Sequence, residues 1–188
     1  DIPRIFEMWT YYNVYGLKTG FTDEAGFCFI GLAEMGGTKI LTLTFDNYVP
    51  NRYADTKKLC AVLNRFACDN LAVLWDVHHT FRDANEAPDQ TVTNLGAYIK
   101  HVHIKDSVME GGKVKYKMLG EGDLPIDKMM NALSSVNYDG YLSLEWLKKY
   151  IPELENVGVV LPHYADSMSK YVGVSSSGRL YDNAAHTG

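Results

Sequence analysis

Short apolar runs alternate along this chain with stretches whose apolar residues recur at helical spacing. Five runs predict strands: Ile2–Phe6, Lys39–Phe45, Leu71–Trp75, Tyr98–Ile104 and Tyr141–Leu144. Between them, helical spacing and capping residues predict a helix over Glu24–Met35, stopped by Gly36-Gly37. A second helix starts at Asp55 or Thr56 and carries Leu59, Val62, Leu63 and Phe66. A third begins near Ala87 with Pro88 in its first turn, and a fourth runs from Pro125 through Leu133. The last spans Glu153 or Leu161 to Tyr171. Trp9–Gly20 reads as a long loop, Gly111-Gly112 leads into a hairpin arm at Val114–Met118, and residues 173–188 read as a flexible linker and tail. Strand and helix alternating in this way predict parallel strands with helical crossovers, an α/β fold occupying residues 1–172.

Composition narrows the classes. The 188 residues, 46% hydrophobic and 22% charged, suffice for one well-buried core. A net charge of -5 offers no basic stripe, so nucleic acid is not expected as a partner. No apolar run approaches the ~18 residues of a membrane span, so no membrane partner is expected either. Asp1-Ile-Pro-Arg-Ile5 has neither a charged n-region nor an apolar h-region, and the chain opens without Met, as a piece of a longer polypeptide would. Cys28, Cys60 and Cys68 lack metal-type spacing and read as reduced thiols, Cys60 and Cys68 on one helix, which fits a cytoplasmic protein.

The chemistry gathers between Leu71 and Asp106, and at Glu145. One apolar run ends in Asp76, His78 and His79, the next in His101, His103 and Asp106. Asp46, Asp76 with His79, His103 and Glu145 stand at the ends of the second to fifth predicted strands. In a parallel sheet that is the end where ligands bind. Alone, each has a plain structural reading: an Asp after a strand caps a helix, and a His packs or faces solvent. Together they form an oxygen-rich set with one or two imidazoles, suited to Mn, Mg, Co or Zn. His78 and His101 are expected to face away from His79 and His103, packed or exposed. Lys105 and Asp106 are expected to pair with each other rather than to bind substrate.

Four segments carry a resemblance. Trp75-Asp-Val-His-His79, His101-Val-His-Ile-Lys-Asp106, Leu119-Gly-Glu-Gly-Asp123 and Gly140-Tyr-Leu-Ser-Leu-Glu145 resemble, in order and spacing, the signatures of the sugar phosphate isomerase/epimerase family, among the xylose-isomerase-like TIM barrels. The resemblance covers Leu71 to Tyr171, with a looser match back to the first strand. It implies a partial barrel made of the family's last five strand-helix units, with Asp76, His103 and Glu145 as metal ligands. It also implies His79 as a substrate-contacting imidazole and Glu145 as the carboxylate that moves a proton. Two departures accompany it. The family's Glu at the end of the preceding strand is missing, leaving Thr44 or, as a substitute ligand, Asp46. Five strands are also fewer than the eight of a closed barrel, which takes roughly 250 residues.

These features imply a metal-dependent isomerase or epimerase acting on a sugar or sugar phosphate through an enediolate, as a homo-oligomer or part of a longer chain. The missing Glu and missing strands support the alternative of a catalytically weak barrel remnant that binds or scaffolds. An endonuclease of the abasic-site type shares the barrel superfamily, but it needs more metal ligands and a basic face.

Overall fold

The computed structural model describes residues 13–22, 26–45, 56–66 and 69–171. They belong to two compact units, residues 1–54 and 55–188. In the first, β1 (Asn13–Thr22), β2 (Gly26–Met35) and β3 (Thr38–Phe45) form an antiparallel meander in that order. Gly36 and Gly37 join β2 to β3 with φ of 57° and 79°, so both occupy the left-handed region that a two-residue hairpin turn requires.

This unit corrects three expectations. Asn13–Gly20 is strand rather than loop, and Gly26–Met35 is strand rather than helix. Gly-Gly closes a hairpin here instead of ending a helix. The stretch before it combines Phe27, Phe29 and Ile30, which favour strands, with Gly26 and Gly31, which disfavour helices. Lys39–Phe45 is a strand as expected, yet it pairs antiparallel with β2, Lys39 opposite Glu34, instead of joining a parallel sheet. Ile2–Phe6, Asp46, Cys68 and residues 173–188 lie outside the described residues.

The second unit begins with α1 (Thr56–Leu63), β4 (Val73–Asp76), α2 (Val77–Arg82) and α3 (Pro88–Leu95). A single 3-10 turn, Gly96–Tyr98, leads into β5 (Ile99–Ile104). The hairpin β6 (Asp106–Glu110) and β7 (Lys113–Lys117) follows, then α4 (Ile126–Ser135), β8 (Tyr141–Leu144) and α5 (Val157–Ser169). Strands β4, β5 and β8 pair in parallel in that order, so three of the five expected parallel strands are found among the described residues, and they do not close into a barrel.

The register sorts side chains onto two faces. Trp75, Val102 and Leu142 align across the sheet on one face, with Ile104 and Leu144 beyond them. Trp75, Val102 and Ile104 are buried there with Leu95, Met129 and Leu133 of the helices, each such side chain contributing roughly 1.5–3 kcal/mol through removal from water. The other face carries Leu74, His101 and Tyr141 in one row and Asp76, His103 and Ser143 in the next. Leu74 and Tyr141 are exposed, so this face is open at the amino-terminal end of the strands and polar at the carboxyl end.

Candidate metal centre

Asp76 ends β4 and caps α2, a helix that periodicity alone did not reveal. Its Oδ1 accepts the backbone N–H groups of His78 (2.9 Å) and His79 (3.3 Å), satisfying two of the donors that a helix start leaves open. That fixes the carboxylate and turns Oδ2 toward the neighbouring strand ends. His103 lies beside Asp76 in the register, and Glu145 follows β8 directly, its N–H bonded to the carbonyl of Ile104 (3.0 Å). One ligand atom from each of Asp76, His103 and Glu145 lies within 4.8 Å of the other two. Two carboxylate oxygens and an imidazole nitrogen so close together form a donor set able to hold a divalent ion.

Lys105 enters the same cluster, although its side chain is only 2% exposed. Its ammonium donates to Asp76 Oδ2 (2.7 Å), to His79 Nε2 (3.1 Å) and to Glu145 Oε2. An ammonium offers only donors, so His79 Nε2 is the acceptor, and the ring proton sits on Nδ1, directed at Asp83 Oδ2 (2.7 Å). Burial works against the ammonium, but the Asp76 and Glu145 carboxylates outweigh it and raise the Lys105 pKa. Burial likewise works to raise the Asp76 pKa, and the Lys105 ammonium outweighs it and holds the group below its ordinary value.

The expected pairing of Lys105 with Asp106 is therefore wrong. Residues 101, 103 and 105 alternate onto one face, which sends Lys105 into the cluster and Asp106 away from it. Asp106, 1% exposed, accepts backbone N–H groups from Ser107 (2.8 Å), Gly120 (2.9 Å), Gly122 (3.0 Å) and Leu124 (3.3 Å), tying together the Gly-Glu-Gly-Asp turn. It holds a loop rather than joining the donor set.

The remaining histidines divide. His101 does not face away from His103: two positions apart on one strand, the rings stand edge to face with centroids 5.5 Å apart. His101 Nε2 lies 2.9 Å from Ser143 Oγ, and burial, helped by His103, lowers its pKa. His78 is packed, as expected, and 1% exposed, with Nε2 3.0 Å from Ser107 Oγ and Nδ1 without a hydrogen-bond partner among the described residues. Burial, with the Lys105 charge adding to it, pushes its pKa down to about 3. Arg82, which carried no expectation, donates to Ser107 Oγ and carbonyl (3.0 and 2.7 Å) and pairs with Asp123, fastening α2 to the turn. The period-two rule could have found Lys105; no local signal marks Arg82.

The uncharacterized protein MJ1311 of Methanocaldococcus jannaschii is 24% identical over 167 residues, which are 88% of this chain and 55% of that protein. The chain thus spans about half the length of this curated relative. A crystal structure of a xylose isomerase domain protein from Planctomyces limnophilus superposes on 65% of this chain and 44% of its own, with a TM-score of 0.48 and 20% identity. The model of the xylose isomerase-like TIM barrel family matches residues 32–160. By that match, which takes in well over half its length, the chain belongs to the xylose isomerase-like TIM barrel family.

Proposed function

We propose that this chain is a divalent-metal-dependent sugar isomerase or epimerase domain in which Asp76, His103 and Glu145 are the metal ligands. The observation that carries the reading is the convergence of those three donors within 4.8 Å at the ends of adjacent parallel strands. Mn, Mg, Co and Zn all suit two carboxylates and an imidazole. A bound divalent ion would supply Lewis-acid stabilisation of the negative charge that develops on the sugar oxygens. Glu145, whose side chain is 32% exposed, takes the proton from the carbon beside the carbonyl and leaves an enediolate. His79, oriented by Asp83, relays charge at the sugar oxygens. The partner is a small sugar or sugar phosphate, and the domain works in the cytoplasm as a homo-oligomer or within a longer chain. Isomerisation by one base fits better than two-base epimerisation, because the family's Glu is missing from the end of the Lys39–Phe45 strand.

A specific observation favours a second reading. Among the described residues only three strands pair in parallel, and β3 belongs to an antiparallel meander. A catalytically weak barrel remnant that binds or scaffolds would need no more. Loss of one acid/base group lowers rates by ~10²–10⁴-fold, so weak ketose turnover is expected of the chain alone. Calorimetric titration with Mn²⁺ tests the site: one ion per chain is expected, with affinity at least ~10²-fold weaker in His103→Ala, no less than the loss of an outer-shell partner. Absence of Mn²⁺ binding by the unaltered chain would overturn the metal reading. Deuterium uptake from solvent at the carbon beside a ketose carbonyl then separates the enzyme from the remnant, which binds the ion without exchange.

A further inference from the structure

Both anionic groups of the donor set are already engaged by a cation of the chain itself. The Lys105 ammonium meets Asp76 Oδ2 at 2.7 Å and Glu145 Oε2, and His79 Nε2 at 3.1 Å takes its third hydrogen. Three donors thus meet three acceptors, and the side chain is 2% exposed. On the other oxygen of Asp76, two backbone amides of α2 are bound. The only oxygen that Asp76 can offer a metal is therefore the one that Lys105 holds.

We propose that Lys105 is an internal counter-cation that occupies the metal seat in the metal-free protein and must leave it for a divalent ion to bind. The inference rests on the metal reading of Asp76, His103 and Glu145. Two cations drawn to the same pair of carboxylates repel each other, and the low-dielectric surroundings of a buried lysine screen that repulsion poorly. Lys105 then has two effects on one site. It offsets one of the two negative charges of Asp76 and Glu145 while no ion is present, so the strand ends stay together. It also raises the free ion concentration needed for loading, since the ion replaces a cation rather than filling an open charge deficit. A lysine released from the seat would stand beside the bound substrate, where an ammonium suits a phosphate or a sugar hydroxyl.

Two measurements on the whole chain test this. In the first, the unaltered protein is pulsed with an amine-acylating reagent, with and without saturating Mn²⁺, and modification of Lys105 is mapped by mass spectrometry. At 2% exposure the amine reacts only after leaving its seat, so labelling should rise by about tenfold or more with Mn²⁺ bound. In the second, Mn²⁺ is titrated into Lys105→Met, which keeps a long apolar stem and removes the charge. The dissociation constant should fall by about tenfold or more relative to the unaltered chain, the factor that one ordinary step of charge relief in free energy gives. Mn²⁺ should also raise the melting temperature of the variant more than that of the parent. Unchanged labelling in protein shown to carry Mn²⁺, or equal or weaker binding by Lys105→Met, would overturn the proposal and leave the metal site standing. No binding by either protein would overturn both readings. Binding by the variant alone would support the proposal in its strongest form.

Discussion

Two carboxylates, the half-buried Asp76 and the buried Asp106, stand at neighbouring strand ends and are held in different ways. Asp106 accepts four backbone amides of fixed position, from Ser107, Gly120, Gly122 and Leu124. Asp76 gives one oxygen to the helix cap and the other to a lysine side chain. Amides held by the chain's own turns cannot be exchanged for anything else. An ammonium on a flexible stem can be. The contrast separates a carboxylate that builds the loop from one held by a side-chain cation, although both look alike as strand-end aspartates.

The largest effect that can break this contrast is expected from Asp106→Ala. It would leave four amide donors without their acceptor, those of Ser107 and Leu124 in buried positions, and loss of charge-assisted hydrogen bonds of this kind costs on the order of 4 kcal/mol or more. Asp76→Asn keeps an oxygen for the cap and leaves Lys105 with Glu145 and His79, so it should cost less than half as much. Urea unfolding of the two variants without metal compares them, and similar losses would abolish the distinction.

Gly122→Ala comes next. A Cβ at Gly122 would stand 2.0 Å from Asp106 Oδ1 and 2.6 Å from the Ser107 carbonyl, so the turn must open, at a cost of about 2–3 kcal/mol. At Gly120 the space is open and only the φ of 87° resists a side chain, which costs about 1 kcal/mol. Equal losses at the two glycines would show that backbone strain, and not the approach to Asp106, controls the turn.

The smallest effect concerns pH. His78 packs beside Ser107 and the Tyr116 ring, and its pKa of about 3 lies below its ordinary 6.5. The unfolded chain therefore binds a proton that the folded chain refuses. Stability from keeping this ring neutral is present above about pH 6.5 and is lost as pH falls toward 3, by at most about 1.4 kcal/mol per pH unit. His78→Gln should flatten the fall in stability between pH 7 and 5 by about 1–2 kcal/mol. Parallel stability curves for parent and variant would mean that the ring is protonated in the fold.

Much of the second unit was legible because its signals are local. Tyr141–Leu144 forms a strand at the expected bounds, Pro125 precedes a helix as expected, and Gly111-Gly112 closes a hairpin. The same Gly-Gly signal at residues 36 and 37 reads in the sequence as a helix end, and the meander shows why it misleads. A left-handed pair of glycines suits either role, and only the partner strand decides between them. Helix α2 has no periodic signature because six residues are too few to display a period, and its main determinant is the cap that Asp76 supplies.

By itself the sequence determined that Asp76, His103 and Glu145 lie at or beside the carboxyl ends of strands. Alternation along a strand is a property of the backbone, so even the face shared by His103 and Lys105 was written there. Only the tertiary structure decided which charges meet. Lys105 lies 29 positions from Asp76 and 40 from Glu145, and no local rule relates them. Parallel pairing of β4, β5 and β8 brings the three strand ends side by side, and the long lysine stem then reaches across to both carboxylates. Charge pairing is short-ranged in water and strong only where water is excluded, so it follows the packing of the strands and cannot be read before that packing exists.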